Sequence, residues 1–405
     1  MPTQKLAIYD LERNTAQAKA TKRIATTHDR RYIDRSADMP ELKYPPVNDE
    51  PDLHALISNF ITPIDKAYRR NHCTFPDPID PSTHRVQLDG LVSKTTNLSI
   101  QDLRSSYPQY EVTCALQCAG NRRHTMRTLL AEVQGLDWFD GAVMNCTWRG
   151  PLLRDVLLAA GLQPGLDEEE AQVAFACNAL PCQEDYWYGA SITLSRALRK
   201  DAEVVVALEM NGQPLPLEHG GPVRIVTPGI AGARAVKWLD HISVQREVSS
   251  NHYMHYDYKV LPPEAKDAES AKPFWAVTPP VIEMPVNSVV AVPAEGSTAQ
   301  TDADGLLACR GYAVPSGDDG PVTRVEVSGD EGKTWAEATL VQGEGESKWS
   351  WKLWEARVAI EKGRGKTVWS RAVDKAGNEQ PRHSQWNLRG VCYNGYGEAR
   401  GLTVQ

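Results

Sequence analysis

A proline-rich stretch, PPEAKDAESAKPFWAVTPPVIEMP at residues 262–285, divides this chain into two parts that obey different patterns. Proline fixes φ and removes a backbone donor, so a segment dense in it resists both helix interiors and central strands. With charges scattered among the prolines, residues 263–282 are predicted to be an extended inter-domain linker. A chain of 405 residues is in any case too long for one typical domain.

Before the break, element types are mixed. Residues 1–50 are polar and end in YPPVNDE, which predicts an N-terminal arm, and residues 51–262 form the first domain. PLLRDVLLAAGL (151–162) and SITLSRALRK (191–200) carry helical spacing, with Gly161 as a helix stop. EVVVALEM and PVRIVTP are β-branched runs bounded by turn residues, and MNGQPLP between them places Asn-Gly at the centre of a hairpin. Helices do not alternate regularly with strands, so the expected class is α+β.

After the break, LLACRGYAV, TRVEVSG, TWAEATLV, SWKLWEARVAI and TVWSRAVD follow one another with Gly and Asp between them and almost no helical signal. Residues 283–405 are therefore predicted to be an immunoglobulin-like β-sandwich, without the Cys…Trp…Cys pin of antibody domains. GDEGKTW (329–335) has only two residues between its glycines and lies between strands, so it reads as a hairpin turn rather than a phosphate loop. GYGEARG (395–401) has no βαβ unit around it. His252 and His255 lack Cys or carboxylate partners at metal spacing.

A net charge of −8 argues against general nucleic-acid binding. No apolar run reaches a membrane span, and the N-terminus has no apolar signal-peptide core. The expected location is intracellular, with cytosol, mitochondrion and peroxisome left open. The eight cysteines show no C-x-x-C pair or compact framework, so reduced thiols are expected.

The most unusual short stretch is LQCAGNRR (116–123). The preceding YEVTCAL reads as a strand and Ala119-Gly120-Asn121 as a turn, which puts Cys118 at a strand end. Arg122 and Arg123 would favour its thiolate. A buried structural cysteine fits equally, as does a nucleophile paired with His72 or His124. YRRNHC (68–73) and LEHGGPVRIVTPGIAGARAVKW (217–238) add cation clusters, and arginine forks match oxyanions. In an acidic protein, such internal clusters point to an anionic ligand.

Together, YRRNH, LQCAGNRR, EMNGQPLPLEHGGPVRIVTPGIAGARAVKWL, DYK (257–259) and WNLRG (386–390) resemble the sulfite oxidases, molybdenum-cofactor enzymes related to the eukaryotic assimilatory nitrate reductases. The resemblance runs from about residue 55 through WNLRG. It implies a molybdenum ion held by the dithiolene of one molybdopterin and by a cysteine thiolate matching Cys118, a soft ligand suited to such a metal. It implies oxygen-atom transfer to sulfite, giving sulfate and two electrons.

Motif by motif, Arg70, Arg123 and Arg389 match the basic substrate pocket, Trp138 in GLDW a pocket wall, and Tyr258 in DYK the tyrosine beside the reacting centre. Tyr68, Arg69, Arg70, Asn71 and His72, with His219, Arg224, Ala235, Val236 and Lys237, match the pterin and phosphate contacts, some of them made by backbone. The sequence departs from the pattern at Gln134, where animal sulfite oxidases have a lysine, and in ACNALPCQEDYWYGAS (176–191), where the family's acidic cofactor contact is not assigned.

Arg389 favours sulfite over nitrate, since nitrate reductases typically carry methionine in that motif. No haem is expected, because the arm is too short for a haem domain. The plant-like architecture implies dioxygen or a separate cytochrome as electron acceptor. The second domain resembles the family's dimerisation domain, implying a homodimer.

Overall fold

The structure, a computed structural model, describes residues 22–24 and 42–405. The first domain contains strands β1 (Lys22–Ile24), β2 (Asp49–Pro51), β3 (Arg85–Gly90), β4 (Thr96–Ser99), β5 (Gln109–Gln117) and β6 (Val143–Pro151). It continues with β7 (Gln172–Cys177), β8 (Tyr188–Thr193), β9 (Val205–Ala207), β10 (Glu209–Met210), β11 (Gln213–Pro214), β12 (Arg224–Val226) and β13 (His241–Gln245). One sheet runs β4-β3-β13-β7-β8 and another β11-β10-β6-β5, with β12 and β9 as a separate pair. Short helices lie between the strands, which makes the domain α+β as expected.

Local chemistry accounts for several elements. The helix Leu153–Ala160 buries Leu153, Val156, Leu157 and Ala160, one apolar stripe, and stops at Gly161 with φ +73°. Asn211 and Gly212, both at positive φ, turn β10 back on β11 as the Asn-Gly pair predicts. SITLSRALRK behaves differently from its helical spacing. Ser191–Thr193 complete β8, and only Leu194–Leu198 are helical, because the Thr193 side chain accepts the Arg196 N–H and caps the helix there.

The second domain holds β14 (Asn287–Val292), β15 (Thr298–Ala299), β16 (Leu306–Val314), β17 (Val322–Ser328), β18 (Ala336–Glu337), β19 (Thr339–Val341), β20 (Lys352–Ala359), β21 (Gly363–Asp374) and β22 (Gly397–Val404). They form two facing sheets, β14-β16-β20-β19 and β15-β22-β21-β17-β18, around Leu307, Val325, Trp354, Val368 and Leu402. Every predicted run contains strand, but TWAEATLV breaks at Ala338 into β18 and β19, which belong to opposite sheets. GDEGKTW is the turn between β17 and β18.

The sequence reading needs correction at two junctions. The linker is not extended throughout, because Ala268–Trp275 form a helix. Asp267 and Ser270 build a capping box at its start, which offsets the bond lost at Pro273. The predicted arm falls largely outside the described residues, but its end is no free tail. Asp49 and Glu50 are buried, Arg69 binds Asp49, and the Glu50 carboxylate accepts the N–H groups of Phe139 and Gly141.

Candidate active site

Cys118 directly follows β5 and opens a tight turn into the helix Arg123–Leu129. The Asn121 N–H returns to the Cys118 carbonyl at 2.9 Å, and the thiol accepts the Gly120 N–H at 3.4 Å. Cys118 is 5% exposed and lines a cavity. Tyr68, Arg70, Asn71 and His72 line it from one stretch, and His219, Arg224, Ala235 and Lys237 from another. Tyr258 joins them.

The remaining predicted residues take other positions. Arg69 turns away to Asp49, as a structural ion pair. The Val236 side chain is fully buried in the hydrophobic core, with its N–H on the Arg234 carbonyl and its own carbonyl accepting from Ile225. Trp138 is fully buried behind Tyr68, edge-on at 6.3 Å between ring centroids. Arg123 donates to the carbonyls of Arg389 and Leu136 at 2.9 and 2.8 Å. Arg389 pairs with Asp257 at 2.7 Å and donates to Gln134 at 3.3 Å.

The double arginine splits. Arg122 adopts φ +67° and is directed into the second domain, where it donates to the Asn287 side chain and to the carbonyls of Ser288, Gly395 and Tyr396. Its ring partner is Tyr393, at 4.7 Å. The expectation that Arg122 tunes the thiol is therefore wrong, because tertiary packing claims its guanidinium. Burial pushes the Cys118 thiol up, and the charges opposing that rise are Arg70 and Arg123.

Arg123 itself is lowered to about 10 by burial, so it stays cationic at neutral pH. Arg224 is likewise lowered to about 10 and donates to the carbonyls of His219 and Ala235 at 2.8 and 2.9 Å. Burial, then Arg224, lowers Lys237, whose ammonium meets the Asn71 side chain. Burial, then Arg70, lowers His72. The Tyr258 hydroxyl lies 2.7 Å from His72 Nε2 and is pushed up to about 12, mainly by burial.

Several participants escaped the sequence reading. Tyr253 packs on the His72 ring with centroids 3.9 Å apart, and Tyr188 stacks on it at 5.9 Å while lining the cavity. Glu184, from the unassigned 176–191 stretch, reaches His72 at 3.6 Å and accepts the Tyr253 hydroxyl. Glu184 and Tyr188 in one short stretch were the available signal, but only the fold sets them and Tyr253 against His72. Asp257, Glu184 and His72 bring ligand atoms within 4.8 Å of one another, a grouping that excludes His252 and His255.

The donor set fits a thiolate-ligated metal with an anionic organic ligand. The Cys118 sulfur lines a cavity edged by Arg70, Arg224 and Lys237, and Cys73 shares that lining. Trp138 Nε1 and Arg389 Nε are buried without partners among the described residues, so donors remain for a bound group.

Residues 72–253 match the family described as "Oxidoreductase molybdopterin binding domain", and residues 278–399 match "Mo-co oxidoreductase dimerisation domain". The chain is 40% identical to the mitochondrial sulfite oxidase of Homo sapiens, covering 96% of this chain and 71% of that protein. Identity to the sulfite oxidase of Arabidopsis thaliana is 39%, over 85% of this chain and 89% of that one. A nitrate reductase of Oryza sativa is 36% identical, and the match spans 39% of its length. The crystal structure of the sulfane dehydrogenase SoxCD from Paracoccus pantotrophus shares the fold, with a TM-score of 0.73 at 22% identity over 96% of this chain and 92% of that one. The chain belongs to the sulfite oxidase family and is an oxidoreductase.

Proposed function

We propose that the chain oxidises sulfite to sulfate at a molybdenum ion held by molybdopterin and the Cys118 thiolate. The observation that carries this reading is convergence. Arg70 shares the cavity lining with Cys118, and Arg70 and Arg123, from distant stretches, both oppose the burial that pushes the Cys118 thiol up. Bound there, the molybdenum cofactor supplies a two-electron oxygen-atom transfer to the sulfur lone pair.

The side chains do the rest. His219, Arg224 and Lys237, with Tyr68, Asn71 and Ala235, would hold the pterin and its phosphate. Arg70, Arg123 and Arg389 receive the dianion, and each charge-assisted bond contributes about 1.5–3 kcal/mol. Tyr258 keeps its proton, since burial holds its pKa at about 12, and His72 Nε2, 2.7 Å away, fixes its hydroxyl. Trp138 backs the Tyr68 wall and helps keep water out.

The second domain supports a homodimer through residues 278–399. Electrons pass to dioxygen or to an external cytochrome. Among the described residues no helix is long and apolar enough to cross a membrane.

Arg389 also bears on the competing nitrate reading, because its guanidinium occupies the position of a neutral methionine in that motif. The test is metal analysis with steady-state assays on protein from a host that makes the pterin. Sulfite turnover with ferricyanide, one molybdenum per chain, and loss of that metal in Cys118→Ser are expected. Fully loaded protein that reduces nitrate and leaves sulfite untouched would overturn the assignment.

A further inference from the structure

Cys73 and Cys182 face each other across an isolated antiparallel bridge, with their sulfurs 2.8 Å apart. The Thr74 N–H bonds the Pro181 carbonyl at 3.0 Å, and the Gln183 N–H bonds the His72 carbonyl at 3.2 Å. These bonds flank the two cysteines, which makes them a non-hydrogen-bonded pair. Such pairs hold their Cα atoms about 4.5 Å apart, at the short end of the roughly 4.4–6.8 Å span of disulfides. The backbone therefore already has the spacing a bond requires.

The surroundings favour chemistry at Cys73. It lines the cavity, whereas Cys182 lies behind it, fully buried, with its thiol pushed well up. All eight cysteines are free in this structure. The chain joining β7 to β8 carries Cys182 and, two residues on, Glu184, which touches His72. A bond here would fasten that connection to the segment bearing Arg70 and His72.

We propose that Cys73 and Cys182 form a peroxide-responsive dithiol that staples one wall of the cofactor cavity. The Cys73 thiolate attacks the peroxide O–O bond and becomes a sulfenic acid, and the displaced oxygen leaves as water. The Cys182 sulfur then attacks the Cys73 sulfur, the S–O bond breaks, and a second water leaves. Two thiols lose two electrons, one peroxide gains them, and a small-molecule thiol reverses the change. The stapled wall holds the cofactor more firmly. That consequence rests on the proposed cofactor site, whereas the cross-link itself does not.

The test treats molybdenum-loaded protein with hydrogen peroxide and maps its peptides without reduction. A Cys73–Cys182 peptide, removed by dithiothreitol, is expected. A Cys73–Cys177 link, or no link, would overturn the proposal. In Cys182→Ser, Cys73 should stop at a sulfenic acid that dimedone traps, and an unlabelled Cys73 in the folded variant would count against it. Molybdenum release into mild denaturant should slow at least tenfold after oxidation, and unchanged release would remove the staple while leaving the dithiol.

Discussion

Arg389 Nη2 meets Asp257 Oδ1 at 2.7 Å, so the guanidinium assigned to an anionic substrate is neutralised in part by the residue next to Tyr258. The two ends of this pair make opposite predictions. Arg389→Met removes an anion donor and should raise the sulfite KM about tenfold to a hundredfold, the equivalent of one charge-assisted hydrogen bond. Asp257→Asn removes a competing anion at a position of φ +58°, which asparagine tolerates. It should lower the KM and strengthen inhibition by sulfate. Steady-state kinetics at fixed ionic strength, with molybdenum content measured beside them, check both. A rise in KM for Asp257→Asn would mean that the ion pair positions Arg389 rather than competing with substrate.

Arg122 predicts a different class of effect from its neighbour. It ties the turn after Cys118 to Asn287, Ser288, Gly395 and Tyr396 and lies 3.3 Å from Asp140. Arg122→Ala strands these buried partners, and at roughly 1–3 kcal/mol for each unsatisfied group the loss should reach about 3 kcal/mol or more. Arg122→Lys should also destabilise, because a single ammonium cannot serve acceptors spread along a fork. Equilibrium denaturation is the measurement. If the lysine variant matched the parent, charge alone would be the residue's contribution.

Glycines define the slot that holds Arg123. A Cβ on Gly120 would fall 2.7 Å from Arg123 Nη2, and one on Gly390, at φ +55°, 2.7 Å from Arg123 Cγ. Gly120→Ala should displace the guanidinium and lower kcat/KM on the order of a hundredfold, as misplacement by about 1 Å does elsewhere. Cys118 is untouched, so molybdenum should be retained. Loss of metal together with activity would mean that the turn itself had moved.

These residues show where sequence stops being legible. Cys118 at a strand end, the Asn-Gly hairpin and the strands of the second domain follow from local preference, which neighbours in sequence determine. Arg122 and Arg123 have the same side chain and adjacent positions, yet one serves the domain junction and the other bonds the carbonyls of Arg389 and Leu136 near Cys118. Only the φ of +67° at Arg122 and the packing of the second domain separate them. Glu184 and Tyr253 escaped notice because their partner, His72, lies more than a hundred residues away. The helix inside the proline-rich segment was hidden because Pro273 outweighed the capping box at Asp267 and Ser270. Arg69 and Val236 adjoin cavity residues in sequence but point to Asp49 and to the core.

His72 gives the molecule a pH dependence whose sign can be worked out. Burial first, then the Arg70 charge, holds its folded-state pKa well below the usual histidine value near 6.5. The unfolded chain therefore binds this proton at a higher pH than the folded one does. Its contribution to stability is fully present above about 6.5 and is lost as pH falls below that value. The Asp257 carboxylate opposes the depression but does not reverse it. Metal-free protein denatured with urea should be clearly less stable at pH 5.5 than at 7.5, and His72→Gln should shrink that difference. A variant that kept the whole acid loss would place the titrating group elsewhere.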